Sequence, residues 1–206
     1  GPNLKMEITG YYKDVRDYIY RQTVFTEFGR QYSVLTNLAY SNVRGLTFRL
    51  ERRRAYDDIF YATLDYTFQI AEGNRTQPSE DLFFSEAAGK QTETYLVPLS
   101  FDRQHILNLS FGLRQPSDWT LGLISYLQAG TPFTPAFPSS IVPITFEQSS
   151  DNQLFQWNVN IKIEKFFQVG NFEWSLFLHV ENLFDTQNEL SVYSSTGRAL
   201  SAVEET

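Results

Sequence analysis

Seven stretches of the chain alternate apolar and polar side chains with a period of two. In "LKMEIT" Leu4, Met6 and Ile8 fall on one side, and Lys5, Glu7 and Thr9 on the other. In "VRGLTFRLER" Leu46, Phe48 and Leu50 oppose Thr47, Arg49 and Glu51. The run "IFYATLDYTFQI" sets Phe60, Ala62, Leu64, Tyr66, Phe68 and Ile70 against Thr63, Asp65, Thr67 and Gln69. Further on, Leu107, Leu109, Phe111 and Leu113 oppose Asn108, Ser110, Gly112 and Arg114, and Trp119, Leu121, Leu123 and Leu127 form the next apolar file. Phe155, Trp157, Val159, Ile161 and Ile163 then face away from Gln156, Asn158, Asn160, Lys162 and Glu164. Last, Phe172, Trp174, Leu176, Leu178 and Val180 face away from Glu173, Ser175, His179 and Glu181. Successive side chains of an extended strand point to opposite faces, so each stretch predicts a β-strand with one apolar and one polar face.

The connections bear on which face meets water. Short links fill 52–58, 115–118 and 168–171, while long ones fill 13–41, 72–104 and 130–154. Two of the long links, with "AEGNRTQPSED" and "GTPFTPAFPSS", carry the Pro, Gly and polar clusters of loops. A soluble sandwich has no need for short and long links to alternate, but an outer-membrane barrel has short periplasmic turns at one rim and long extracellular loops at the other. Trp119, Phe155, Trp157, Phe172 and Trp174 stand near strand ends, where a barrel carries its aromatic girdles. The fold class expected is therefore all-β: an antiparallel up-and-down transmembrane β-barrel segment of seven strands, its apolar faces turned to lipid.

Composition narrows the functional classes. Among 206 residues there are 18 Phe, 12 Tyr and 3 Trp, residue types that favour strands and interfaces. With no Cys and only two His, His105 and His179, neither a disulfide framework nor a Cys- or His-rich metal site is expected, and no cofactor is. Asp and Glu outnumber Lys and Arg 24 to 17, which argues against a nucleic-acid partner, and the triplet Arg52-Arg53-Arg54 reads as a turn flank. No apolar run approaches the roughly 20 residues of a membrane helix, whereas a membrane strand needs only about 10 of alternating character.

Within the barrel expectation Asn158, Asn160, Lys162 and Glu164 share the lumen face of one strand and are candidates to meet a substrate. Arg103 and His105 fall on the file of Leu107 and Leu109, which places them at the outer rim above the lipid band, with Asp102 on the opposite side. There Arg103 is positioned for anionic headgroups or lipopolysaccharide phosphates. In the loops, three Pro around Phe133 and Phe137 stiffen a candidate capture segment. Asp14 and Asp17 are better explained by pairing with Lys13 and Arg16 than by a cation site. Enzymatic chemistry is not expected: Glu204 and Glu205 lie in a tail, and no G-x-S-x-G motif accompanies His105 or His179 to suggest a lipase barrel.

The elements "TGYYKDVRDYI" (9–19), "YSNVRGLTFRLERR" (40–53), "YTF" (66–68), "PLSFDRQHILNLSFGLR" (98–114), "GTPFTP" (130–135) and "FLHVENLFDTQNELSVYSSTGRA" (177–199) occur in order and span almost the whole chain. In these elements the chain resembles the C-terminal part of the β-barrel of TonB-dependent outer-membrane receptors. The resemblance implies energy-coupled uptake of a bulky nutrient, such as an iron chelate, a glycan or a peptide, through a barrel of about 22 strands. It also implies, as partners, outer-membrane lipid and lipopolysaccharide, the nutrient, a plug domain, the TonB energy-transducing complex and a surface lipoprotein, in the outer membrane of a Gram-negative bacterium. Neither a plug domain nor a coupling box is recognisable, and "STGRALSAVEET" has no terminal aromatic strand, so residues 1–206 are expected to be a partial barrel domain. Two other readings stay open: a secreted β-sandwich that binds carbohydrate, and a small self-contained outer-membrane barrel.

Overall fold

The computed structural model describes residues 3–25, 30–53, 59–74, 96–115, 118–136 and 148–199. In this part of the chain every regular element is a strand: β1 (Leu4–Phe25), β2 (Gln31–Arg52), β3 (Phe60–Gly73), β4 (Val97–Pro98), β5 (His105–Gln115), β6 (Trp119–Gln128), β7 (Pro132–Phe133), β8 (Asp151–Asn152), β9 (Gln156–Val169) and β10 (Phe172–Val180). Among the described residues no helix is long and apolar enough to cross a membrane. An eight-stranded sheet runs in the order β1-β2-β3-β5-β6-β9-β10, with the short β4 paired to β3, and β7 and β8 form a separate ladder. All pairings are antiparallel. Among the described residues the end strands β1 and β10 do not pair with each other, so the sheet is open.

The register makes the seven apolar files one surface. Met6 pairs with Leu50, Leu50 with Leu64, Leu64 with Leu109, and Leu109 with Ser125. One row lower Phe111 meets Leu123, Leu123 meets Ile161, and Ile161 meets Val180. Because parity is kept from strand to strand, the apolar face carries almost no polar residue across the sheet's middle. That face is uncovered: Met6, Ile8, Leu176 and Phe172 are 63%, 64%, 70% and 72% exposed. Among the described residues the only buried hydrophobic side chains are Ala71, Val97, Leu99 and Ala129, all at the end of the sheet from which the longer connections leave. A sandwich would bury one sheet's apolar face under another, and the described chain contains no such layer.

Two expectations about the chain's course need correction. The described residues of 13–41 are not loop: β1 runs on to Phe25 and β2 starts at Gln31, the two pairing as a hairpin from Leu4↔Arg52 to Phe25↔Gln31. The hairpin overshoots β3, whose last partner on β2 is Ser41. Its outer half escapes a period-two reading because "YIYRQTVF" and "QYSVLTNLAY" do not alternate, and the ladder is irregular between Val15, Tyr18 and Ile19, where Asp17 takes a positive φ of 57°. The two shifts are opposite, so the register of Val15↔Ser41 resumes at Ile19↔Asn37. The chain also forms three two-residue strands, β4 against β3 and β7 and β8 against each other, too short for any alternation to mark.

Beyond β10 the chain keeps to the side of β9 without forming a strand. Leu183 N–H donates to Val159 O at 2.8 Å, and the Asn188 side chain then acts as a surrogate peptide. Its Oδ1 accepts from Trp157 N–H at 3.0 Å and its Nδ2 donates to Trp157 O at 2.9 Å. Trp157 in turn packs its ring on Phe184, centroids 5.6 Å apart. Asn188→Ala removes both partners of Trp157 and is expected to cost about 1–3 kcal/mol locally. Hydrogen exchange reads this directly: the Trp157 amide should lose protection in the variant while the Leu123 amide does not, and unchanged Trp157 protection would refute the surrogate role.

Candidate functional site

On the face opposite the apolar one, the register assembles a row that no single strand reveals. Tyr61 on β3 pairs with Gly112 on β5, Gly112 with Gly122 on β6, Gly122 with Lys162 on β9, and Lys162 with His179 on β10. Two adjacent glycines leave a gap in the side-chain layer. Tyr61 lies over the first of them, where an added Cβ would overlap its ring. Over Gly122 a Cβ would meet nothing within 4 Å. The result is a hollow of about 220 Å³, walled by Tyr61, Ser110, Ile124, Asn160, Lys162 and His179.

The four β9 candidates divide into distinct environments along this face. Lys162 is exposed and sets its Nζ 5.6 Å from the ring centroid of Phe177. Asn160 Oδ1 accepts from Asn182 N–H at 2.8 Å, which ties the segment after β10 to the upper edge of the hollow. Asn158 is half-buried, and its Oδ1 is enclosed without a hydrogen-bond partner. Glu164 stands one row toward the short turns, level with Thr120 and Phe177. The structure thus gathers Asn160 and Lys162 in one hollow and leaves Asn158 and Glu164 on either side of it. Tyr61, Gly112, Gly122 and His179 complete the hollow and were not singled out for it from sequence. Their signal was weak but present: glycines inside two alternating strands mark a close approach of other groups.

At the loop end, polar side chains satisfy backbone groups where strands stop at unequal heights. Asp102 is 2% exposed, and its Oδ1 accepts from Ala71 N–H at 2.9 Å. Leu99 N–H donates to Ala71 O at 2.9 Å, so one turn supplies both partners of that residue. Arg103 Nη1 donates to Ala129 O at 2.9 Å and to Gln156 Oε1 at 3.2 Å, which engages its guanidinium with the β6 and β9 ends. Gln128 Nε2 also donates to Gln156 Oε1, and Gln156 Nε2 donates to Glu189 O. His105 stays on the apolar face, its Nδ1 2.9 Å from Tyr66 Oη and its ring 5.3 Å from that of Phe68. Phe133 rests on Gly197, a residue held at φ 66°. Asp14 forms an ion pair with Arg16 at 2.9 Å. Among the described residues no group of three acidic or histidine side chains could hold a metal ion. Phe137, Arg54, Glu204 and Glu205 lie outside the described residues.

Comparison of the chain with protein-family models, with curated proteins and with solved structures gives no match.

Burial pushes the Asp102 carboxyl above the ordinary carboxylate value, against the smaller opposing effect of the Ala71 hydrogen bond, with Glu72 adding to the rise. A folded-state value above the unfolded one means that the native state binds the proton more readily. Stability from this group therefore falls as pH rises from the ordinary aspartate range through the raised value. Asp102→Asn keeps an acceptor for Ala71 N–H and removes that penalty. It is expected to melt at or above the parent temperature at pH 7, with the difference vanishing near pH 3. Asp102→Ala should lose about 1–3 kcal/mol near pH 3, where the acid is neutral, and less at pH 7, where it also removes the buried charge. Parallel melting curves at the two pH values check both, and a pH-independent difference for the Asn variant would exclude the buried-acid account.

Proposed function

We propose that the chain is a wall segment of an outer-membrane β-barrel receptor, apolar face to lipid and polar face to the lumen, taking part in TonB-coupled uptake of a bulky nutrient. The observation that carries this reading is the uncovered apolar face, continuous over seven antiparallel strands in register. Contiguous apolar patches on soluble monomers rarely exceed a few hundred Å², and larger ones mark protein or membrane interfaces. Here the apolar face extends across all seven long strands, with Arg44, Arg52 and Lys165 toward the strand ends. Its strands suit a bilayer: β5, β6 and β10 have 11, 10 and 9 residues, against the roughly 9–11 that a tilted strand needs to cross. Aromatic residues occupy that face near the strand ends, with Trp119, Phe172 and Trp174 toward the short turns and Trp157 toward the long connections.

The opposite face supports a lumen assignment by its chemistry. Near the short-turn end of β1 to β3 it carries a charge ladder, with Lys5 2.7 Å from Glu7 and Arg49 between Glu51 and Asp65 at 3.8 and 3.6 Å. Farther up, Thr47 and Thr67 bond at 3.2 Å, and Tyr11 Oη donates to Gln69 Oε1 at 3.1 Å. These groups can stay hydrated only where water reaches them. Nutrient specificity, the plug, the coupling complex and a surface lipoprotein enter this proposal through the sequence resemblance alone.

Two neighbouring substitutions separate the membrane reading from any soluble one. Leu109→Lys places a charge in the middle of the apolar face, and Asn108→Lys places the same charge one residue away on the polar face. In a lipid-embedded wall the first should destabilise by about 2–4 kcal/mol and the second by less than about 1. Urea titration of the closed barrel that contains this wall segment, refolded in phosphatidylcholine vesicles, gives the two values. Equal effects, or a parent chain that stays monomeric and melts cooperatively without lipid or detergent, would remove the membrane assignment.

A further inference from the structure

The hollow over Gly122 has features that restrict what can occupy it. Its floor is backbone, open to a depth that an added Cβ would not fill against any neighbour. At one end lies the Tyr61 ring, 38% exposed and held flat by the missing side chain of Gly112. Facing it across the glycine pair stand Lys162 and His179, neighbours in register on β9 and β10. Lys162 forms no ion pair with a carboxylate among the described residues; its ammonium meets only the Phe177 ring. Ser110 and Asn160 add a hydroxyl and an amide to the same wall.

We propose that this hollow binds a single carboxylated sugar ring, with Tyr61 as its stacking platform and the Lys162–His179 pair as its carboxylate-binding end. The proposal rests on the lumen assignment made above and names the ligand class that the lumen face takes. A flat aromatic ring beside hydrogen-bonding groups suits a sugar, whose C–H face is apolar and whose hydroxyls lie in its rim. The ammonium of Lys162 gives a carboxylate a charge-assisted bond, and the His179 ring offers a second nitrogen. Size points the same way: about 220 Å³ falls below the roughly 300–1,000 Å³ of pockets for drug-sized ligands. Glu164, the nearest acid on β9, projects one row away, in the line that begins with Arg114 and Thr120, and leaves the hollow itself without a negative group.

Calorimetric titration of the full chain in dodecylmaltoside micelles with tri-galacturonate and with galactotriose tests this. The acidic trisaccharide should bind, and the neutral one should bind about tenfold more weakly or not at all. Lys162→Gln should weaken the acidic ligand about tenfold and leave the neutral one unchanged. Gly122→Leu should block the acidic ligand, with an unchanged melting temperature because the position is open; should that variant unfold, Lys162→Gln still decides. Equal binding of the two sugars, binding of neither, full competition by acetate alone, or undiminished binding in Lys162→Gln would each overturn the assignment. Binding in micelles is independent of how the chain sits in vesicles. A failed vesicle titration with intact sugar binding removes the membrane reading alone, and the reverse result removes only the ligand.

Discussion

Strand parity in an antiparallel register, kept across all seven long strands and interrupted among the described residues by the irregularity at Val15–Ile19, is the constraint from which everything else in this chain follows. With so few buried apolar side chains, the described structure is not organised around a core but around main-chain ladders. Each ladder holds its neighbour's side chains on a fixed face, and a slip of one residue anywhere would exchange apolar for polar across the rest of the sheet. Register is therefore specified jointly by all seven strands. The short turns at one end help to set it, as at β9 and β10, where Gly170 takes a φ of 63° and Phe172 then pairs with Val169.

A sheet held by ladders has to settle its backbone groups where partners run out. At the loop end the strands stop at different heights, and side chains there take over the work of peptides. The Asp102 carboxylate stands in as an acceptor for Ala71, and the Asn188 amide supplies both a donor and an acceptor to Trp157. Arg103, Gln128 and Gln156 link β6, β9 and the segment after β10 through carbonyls and amides. A buried backbone group without a partner costs as much as a lost hydrogen bond, so these substitutes fix where each strand ends. The same end holds the buried Ala71, Val97, Leu99 and Ala129, which exclude water from the bonds and strengthen them.

Much of this was legible in the alternation. The apolar files of all seven strands and the three short links at one end agree with the register, because a period of two is a local property of the chain. The hairpin beyond Val15 was hidden because it runs past Ser41, the last residue that β3 flanks, and its residues there do not alternate. The hollow was hidden for a different reason. Tyr61, Gly112, Gly122, Lys162 and His179 are far apart in sequence and become a row only when five strands are aligned. Asn160 and Lys162 were recognisable as sharing a face, but what sets them apart from Asn158 and Glu164 is the empty place beside them. Arg103 was assigned to a face by extending the β5 parity backward, yet residue 103 precedes the strand and its guanidinium is committed to Ala129 and Gln156.

The two faces of one sheet place opposite demands on the same backbone. On the apolar face, large side chains must cover the ladders; on the polar face a ligand needs access to them. A glycine in a strand weakens the strand, by the loss of side-chain packing and by the greater freedom of the unfolded chain. Placing Gly112 beside Gly122 concentrates that loss in one row, and Tyr61 recovers part of it by lying over Gly112 while leaving Gly122 bare. The opposite face compensates in the flanking residues, where Phe111 and Leu113 pair with Leu123 and Leu121 around the glycine pair and Phe60 packs on Phe111 at 5.3 Å. In a bilayer, those side chains would shield the thinned part of the wall from lipid. A hollow in the polar face is thus tolerable because the apolar face is continuous directly behind it.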